Sequence, residues 1–584
     1  MSSAPWSLHL LGEVLSAFSV DSPTALRDVV SRVAEAVDAE ITAILRQGRF
    51  TLCTGLTPEE QPALQALAES RAPMLTLPGG NPFHLFWAPL GSEDLLVVGR
   101  AYEAYNLEER ALLRGMGRSI QLSSQVLDAV RAAEESRAAW AGLPWEARAA
   151  VFLRAAELLA GSWRDRVNAA TMLGQAKTAH QAEIDAACEL IDFWRFNVSY
   201  YRDILTEQPP ENSAGTWNRT DHRPLDGFVF AVTPFNFTSI GLNLPTAPAL
   251  CGNTVIWKAA TTSALACWHL FQLLRAAGLP DGVINLVNGD GPDVGSQVLV
   301  RPELGGVHFT GSTGVFQGMW RTIGENIAHY RQYPRIVGET GGKDFIVAHP
   351  SADPTAVAVA IVRGGFEYQG QKCSAASRVY IPESLWPAVS GSVRDMLAQV
   401  KQGDVRDFSN FVAAVIDQRS FRKMEGYLAL AAGQDVVSGG HANGEVGWFV
   451  EPTFVRVNDP RHRLMEEEIF GPIVSAWVYP DARWDEALRT VDTTSPYALT
   501  GAVFARERGA IESALTGLRH AAGNFYINDK PTGAVVGQQP FGGGRASGTN
   551  DKAGAPENLR RWISPRSIKE TFVPPTDWRY PFLG

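Results

Sequence analysis

One cysteine stands where covalent chemistry is possible. Between Gly365 and Arg378 the chain reads Gly-Phe-Glu-Tyr-Gln-Gly-Gln-Lys-Cys-Ser-Ala-Ala-Ser-Arg. Cys373 thus lies between a glycine-rich polar lead-in and small residues suited to the first turn of a helix. A helix N-terminus stabilises negative charge through its unpaired N–H groups and its macrodipole. A thiol there is expected to ionise more readily than a free cysteine of pKa about 8.5, and the thiolate is the nucleophile. Taken alone, Cys373 fits a small buried hydrophobe better, as most free cysteines do. Its company elsewhere in the chain changes the balance.

Four further motifs carry groups that such a nucleophile needs. Val337-Gly338-Glu339-Thr340-Gly341-Gly342-Lys343 sets a carboxylate at a glycine-rich turn, where a ligand can approach the backbone closely. Partial burial would lift the Glu339 pKa toward neutrality, the range of a general base. Pro234-Phe235-Asn236-Phe237 puts Asn236 where a strand ends, and a side-chain amide there can donate to a developing oxyanion. Phe309-Thr310-Gly311-Ser312-Thr313-Gly314 reads as strand, small residues, helix, which is how α/β sheets offer backbone N–H groups to a pyrophosphate. Glu467-Glu468-Ile469-Phe470-Gly471-Pro472 offers Glu468 for ribose hydroxyls and Phe470 for packing against a ring. Each motif alone also fits a plain loop carboxylate, turn cap or charge run; together they point to one site.

The elements that must position these groups alternate. Gly227-Phe-Val-Phe-Ala-Val-Thr, Thr254-Val-Ile-Trp-Lys, Gly282-Val-Ile-Asn-Leu-Val and Gly306-Val-His-Phe-Thr-Gly-Ser read as strands separated by helix-length segments. Such alternation implies right-handed crossovers and a doubly wound parallel sheet. It resumes after residue 340, as expected of a second α/β domain. From about Asp128 to Phe196 the chain is Ala-rich and amphipathic.

Ahead of this, residues 1–125 read as a separate α+β unit. Helices are expected at Ser7–Phe18 and from Asp21-Ser22-Pro23 onward, with Leu26, Val29, Val30, Val33, Ala34 and Val37 at helical spacing. Strands fit Glu40–Arg46, Arg49–Thr54, Phe83–Leu90 and Leu95–Ala101, with helices at Glu59–Ser70 and from Asn106 toward Val130. This order resembles a GAF-type sensory domain by pattern, without a metal, haem or nucleotide signature.

Composition narrows the classes. A length of 584 residues exceeds one core. The net charge of -10 gives no basic footprint for nucleic acid. The five cysteines are few, odd in number and scattered, which fits neither a disulfide framework nor a metal cluster and is expected of a reducing compartment. No apolar run approaches the roughly 18 residues of a membrane span, and the N-terminus carries no visible secretory or mitochondrial signal. A cytoplasmic enzyme is expected.

The motifs occur in the order of the aldehyde dehydrogenase superfamily, which the chain resembles over roughly residues 128–575. Within that superfamily it resembles the branch acting on L-glutamate γ-semialdehyde. The narrower match rests on Gln181-Ala-Glu-Ile-Asp-Ala-Ala, Ile191-Asp-Phe-Trp-Arg-Phe-Asn, Phe366-Glu-Tyr-Gln-Gly-Gln-Lys-Cys-Ser, Gly523-Asn-Phe-Tyr-Ile-Asn-Asp-Lys and Thr532-Gly-Ala-Val-Val-Gly-Gln-Gln-Pro-Phe-Gly-Gly. The resemblance implies a Rossmann-like NAD domain (126–209 and 227–340), an α/β catalytic domain (341–558) and oligomerisation strands (210–226 and 559–575). It implies that Cys373 attacks the aldehyde, that Asn236 and the Cys373 N–H hold the oxyanion, and that Glu339 activates water. Lys258, Gly311, Ser312, Glu468, Phe470 and Phe235 would form the NAD site. Gly533 and Ala534 would meet the substrate carboxylate, and Phe237 and Phe541 its stem, with Glu189, Lys372 and Ser374 nearby. No metal is implied, and a dimer or larger homo-oligomer is expected. Glu339 also separates the chain from coenzyme A-acylating members, which lack that glutamate.

Three departures from the family pattern stand out. Ala259 follows Trp257-Lys258 where the family usually has proline, Ala534 stands where many relatives have serine, and the GAF-like unit replaces the usual leading strands. The last leaves a second expectation open: a sensor or scaffold carrying a weakened dehydrogenase domain.

Overall fold

The computed structural model describes residues 25–584, apart from 79, 81 and 91–93. Two compact units are present, one of residues up to Arg131 with Gly289–Val298, the other of Ala132–Asn288 with Leu299–Gly584.

In the first unit a helix, Ala25–Ala36, precedes the strands β1 (Ile41–Arg46), β2 (Arg49–Thr54), β3 (Met74–Leu75), β4 (Phe83–Pro89) and β5 (Leu95–Arg100). They form one antiparallel sheet in the order β2-β1-β5-β4-β3. Its core joins Val29, Val30 and Val33 of the first helix to Ile44, Leu96 and Val98 of the sheet. The same core takes in Leu113, Met116 and Ile120 of the helix Leu107–Gly142. The four strands and the first and last helices expected from residue 25 onward are present. The expected helix at Glu59–Ser70 shrinks to Gln61–Gln65, because tighter i→i+3 bonds take over from Leu67 and Ala68. Strand β3 was not anticipated; two residues are too short to show alternation. The expected Ser7–Phe18 helix and the Asp21-Ser22-Pro23 helix start lie outside the described residues.

The second unit holds two large sheets and three two-stranded ones. Strands β6 (Thr216–Arg223), β7 (Phe228–Val232), β8 (Val255–Lys258), β9 (Ile284–Leu286), β10 (Leu304–Thr310) and β11 (Arg335–Glu339) come first. All but β6 form a parallel sheet in the order β11-β10-β7-β8-β9. Strands β7, β8 and β10 are buried along nearly their whole length because both faces of such a sheet are covered. The chain winds one way from β7 to β9 and the other way through β10 and β11. The switch point therefore lies between the carboxyl ends of β7 and β10, where such sheets open a crevice for ligands.

The second sheet uses β12 (Asp344–Ala348), β13 (Ala376–Pro382) and β14 (Asp435–Ser438). After a short pair, β15 (Ala442–Asn443) with β16 (Phe449–Val450), come β17 (Thr453–Val457) and β18 (Ile473–Tyr479). Then follow β19 (Tyr497–Ala498), β20 (Thr500–Phe504), β21 (Asn524–Ile527), β22 (Gly544–Arg545) and β23 (Ser564–Thr571). Seven strands run β14-β17-β18-β13-β12-β20-β21, parallel except at β14. β6 and β23 pair antiparallel over eight residues as a separate ribbon. No helix among the described residues is long and apolar enough to cross a membrane.

Candidate active site

The loop after β7 supplies Asn236. It is buried, and its Nδ2 donates to the carbonyl oxygen of Gln371 over 3.0 Å. The next residue, Phe237, starts the helix Thr238–Leu250, every residue of which is buried. Such a helix cannot shift easily, so the loop ahead of it is held from behind.

Cys373 does not sit on the first turn of a helix. It lies in a turn, and the small residues after it enter β13, the strand between β12 and β18. Nor is its thiol easier to ionise in the free protein. Burial pushes the thiol pKa well up, and the nearby Glu339, Asp344 and Glu468 carboxylates push the same way. The lead-in explains the placement. Tyr368 (φ 52°), Gln369 (φ 54°) and Gly370 (φ 65°) are all left-handed, a costly conformation for the two non-glycine residues. The Tyr368 hydroxyl donates to Gln175 O at 3.0 Å, and Gln369 Nε2 donates to Ala176 O at 3.0 Å and Ala414 O at 2.7 Å.

Glu339 is the last residue of β11, paired in register with Thr310, and the glycine turn begins only after it. Burial pushes its carboxyl up to about 8, against the opposing pull of Lys552. Glu339 and Cys373 line one cavity of about 210 Å³. Phe237, Phe541, Ile240, Leu244 and Val536 give this cavity apolar walls, while Glu189, Lys372, Ser374, Gly533 and Ala534 line it elsewhere. Gly533 takes φ +89°, and a side chain there would meet Lys530 Nζ. Ser374 Oγ and Thr532 Oγ1 share a hydrogen bond of 2.7 Å. Ser239 Oγ donates to Glu189 Oε2, and burial lifts the Glu189 carboxyl to about 8.

The remaining predicted site residues lie beside the carboxyl ends of the strands of the β7–β8 sheet. Ser312 starts the helix Thr313–Glu325 without spending its hydroxyl on a cap. Gly311 N–H donates to Glu339 O at 3.2 Å, and Thr310 Oγ1 is buried without a partner. Lys258 ends β8, with Nζ donating to Ala259 O at 2.9 Å. Glu468 Oε1 accepts from Gly342 N–H at 3.0 Å, and burial raises its carboxyl. Phe470 is left-handed at φ 57°, and its ring meets that of Phe235 edge-on, 5.8 Å between centroids.

Sequence reasoning missed two residues here, Lys177 and Asp185. Asp185 lines the cavity from a π-helical turn, Glu183–Cys188, and Lys177 Nζ lies 2.5 Å from its Oδ2. Asp185 falls in the quoted Gln181-Ala-Glu-Ile-Asp stretch, but nothing in the spacing shows a lysine folding onto it. All five cysteines are free. Among the described residues no group of three or more His, Cys, Asp or Glu side chains is placed to hold a metal ion.

A family model described as the aldehyde dehydrogenase family matches residues 120–568. The chain is 54% identical over 460 residues to delta-1-pyrroline-5-carboxylate dehydrogenase, mitochondrial, of Dictyostelium discoideum, covering 78% of this chain and 82% of that one. It is 48% identical over 459 residues to the Homo sapiens protein of the same name, covering 78% and 81%. It superposes with TM-score 0.76 on the crystal structure of the delta-pyrroline-5-carboxylate dehydrogenase from Mycobacterium tuberculosis bound with NAD. That likeness is 56% identical and covers 79% of this chain and 85% of the other.

Proposed function

The chain belongs to the aldehyde dehydrogenase family, and we propose the following reading of its chemistry. It oxidises L-glutamate γ-semialdehyde, the open form of 1-pyrroline-5-carboxylate, to L-glutamate with reduction of NAD, the last step of proline degradation. The observation that carries this reading is one cavity lined by Cys373 and Glu339 together with apolar Phe237, Phe541 and Val536 and polar Glu189, Lys372 and Ser374.

Cys373 gives up its thiol proton to solvent water, and Sγ bonds to the aldehyde carbon as the C=O electron pair moves onto oxygen, giving a thiohemiacetal oxyanion. This oxyanion is met by Asn236 Nδ2, which Gln371 O already holds in place, and by the Cys373 N–H. NAD, when bound, supplies the acceptor for the hydride that leaves this carbon as the thioester forms. Glu339 then takes a proton from water as the water oxygen adds to the thioester carbon, and the C–S bond breaks to release glutamate. The raised Glu339 pKa suits a base working near neutral pH. Burial and the neighbouring Glu339, Asp344 and Glu468 carboxylates raise the Cys373 thiol, so its proton loss is favoured as pH rises.

The residues beside the carboxyl ends of the β7–β8 sheet fit NAD. The uncommitted Ser312 hydroxyl, the partnerless buried Thr310 hydroxyl and a helix N-terminus suit a pyrophosphate. Lys258 and Glu468 would hold ribose hydroxyls, with Gly311 allowing close approach and Phe470 and Phe235 walling the nicotinamide side. Phe237 and Phe541 would clamp the aliphatic stem. Gly533 and Ala534 would meet the carboxylate, with Glu189, Lys372 and Ser374 around the charged head.

We assign the NAD domain to 126–209 and 227–340, the catalytic domain to 341–558, and a homo-oligomerising flap to 210–226 and 559–575; the β6–β23 ribbon supports the flap. The first 125 residues are read as a GAF-like module, supported by the β2-β1-β5-β4-β3 sheet. The free cysteines support a cytoplasmic, reducing setting, although the Dictyostelium and human relatives are named mitochondrial; cell fractionation decides. The same N-terminal module motivates the second reading, a sensor or scaffold with weakened activity. Purified full-length protein supplied with 1-pyrroline-5-carboxylate and NAD tests both. Glutamate formed one for one with NADH supports the first, and folded protein without turnover supports the second.

A further inference from the structure

Lys177 follows the helix Arg164–Gln175, and its side chain is fully buried. Three groups surround its ammonium. Nζ lies 2.5 Å from Asp185 Oδ2, 4.3 Å from the Phe237 ring centroid and 4.4 Å from that of Tyr368. Each group leads to a different part of the cavity.

Asp185 lines the cavity and stands 3.8 Å from Nζ of Lys372, the residue before Cys373. Lys372 in turn is 3.6 Å from Glu367 Oε2. Phe237 is a wall of the substrate sleeve. Tyr368 opens the left-handed run that leads to Cys373, and its hydroxyl reaches back to Gln175 O, while Gln369 reaches Ala176 O. Gln175, Ala176 and Lys177 thus hold the nucleophile's turn by three separate contacts. Ala176 is itself left-handed at φ 53°, which turns the chain so that Lys177 enters the core. A buried ion pair is a poor way to add stability, since apolar residues of the same size often serve as well or better. A lysine that meets both rings of a site through its charge has a use that methionine would lack.

We propose that Lys177 is a positioning residue for the reaction. One buried ammonium sets the Cys373 turn through Tyr368 and the substrate wall through Phe237, with Asp185 as its counter-charge. This rests on the dehydrogenase reading above, and the test separates the two.

Full-length wild type, Lys177→Met, Asp185→Asn and the double variant are compared in three measurements. These are kcat and KM with 1-pyrroline-5-carboxylate and NAD, the rate of Cys373 alkylation by iodoacetamide followed on its own peptide, and thermal melting. Lys177→Met is expected to lower kcat and the alkylation rate at least tenfold, with KM for NAD changed less than twofold. The double variant is expected to recover part of the melting temperature, because the buried carboxylate left with only the more distant Lys372 is gone. Its kcat and alkylation rate should stay at least tenfold below those of Asp185→Asn, a comparison that cancels any contact of Asp185 with substrate. Alkylation and kcat in the double variant equal to those of Asp185→Asn would overturn the proposal and leave a structural ion pair. If Lys177→Met alone does not fold, the double variant decides. Alkylation needs no substrate, so a wild type that alkylates at Cys373 yet turns over no 1-pyrroline-5-carboxylate sinks the dehydrogenase reading and leaves the positioning claim decidable.

Discussion

The side-chain amide of Asn236 donates to the backbone carbonyl of Gln371 over 3.0 Å. A residue at the carboxyl end of the β7–β8 sheet is thereby tied to the chain two residues before Cys373, between β12 and β13 of the second sheet. One N–H of the amide is spent on this tie, which leaves the other for the proposed oxyanion contact. The bond therefore fixes the donor's direction before substrate arrives, and preorganisation of this kind makes an oxyanion donor effective.

Replacing Asn236 with alanine is expected to lower kcat by about 10²–10³, the usual cost of one oxyanion-hole donor. The affinity for NAD should change little, because the amide points to the nucleophile loop. Steady-state kinetics at saturating NAD, with NAD binding measured separately, check both halves. A fall in kcat below tenfold would remove Asn236 from the oxyanion site.

Glu339→Gln separates the two chemical halves of the cycle. Hydride transfer needs no base to activate water, so stopped-flow absorbance is expected to show one equivalent of NADH followed by turnover slowed about 10²–10⁴-fold. Wild-type turnover should rise as pH increases toward and through about 8, where the Glu339 carboxyl ionises. The stability effect has the opposite direction. The folded carboxyl holds its proton up to about 8 against an ordinary 4.5, so between those values the folded state binds more protons than the unfolded one. Stability from this group is present below about 4.5 and is lost as pH climbs through 8. Glu339→Gln should therefore melt relatively higher than wild type at pH 9 than at pH 5, by differential scanning fluorimetry without NAD.

What could be read from the chain, and what could not, divides along physical lines. The strand–helix alternation and the apolar runs at Phe228–Val232 and Val255–Lys258 carry the parallel sheet in the residues themselves. The types at Cys373, Glu339 and Asn236 were legible because few residues do that chemistry. The setting of Cys373 was not. A run of small residues fits a helix start and a strand start equally, and the neighbours β12 and β18 decide for the strand. The thiol's upward shift was equally hidden, since it comes from burial and from three carboxylates far away in sequence. Lys177 and Asp185 were invisible for a related reason. Their pairing depends on a π-helical turn that an alanine-rich amphipathic pattern does not announce.

Glu468 is expected to govern cofactor affinity. Its carboxylate accepts from the Gly342 N–H, and a Cβ built on Gly341 would come within 2.3 Å of its Oε2. Glu468→Ala should raise the Kd for NAD by about 10–100-fold, the worth of a hydrogen bond to a charged group. Gly341→Ala should act in the same direction by displacing the carboxylate. Nucleotide fluorescence titration checks both; an unchanged Kd in Glu468→Ala would take the residue out of the cofactor site.

Ala534 offers a change that should improve the enzyme. It lines the cavity beside Gly533, near the bonded pair Ser374 and Thr532. As alanine it brings no side-chain hydroxyl to the proposed carboxylate site. A serine hydroxyl would add one hydrogen bond to a charged group in a partly dry pocket, worth about 1–2 kcal/mol. That contact would be made equally in the bound substrate and in the transition state, so it should lower KM without raising kcat. Ala534→Ser is therefore expected to lower KM for 1-pyrroline-5-carboxylate by about 5–30-fold, with kcat within twofold of wild type. A short aldehyde lacking the carboxylate, such as propanal, should show no gain. An equal gain for both substrates would place the substrate's carboxylate elsewhere in the cavity.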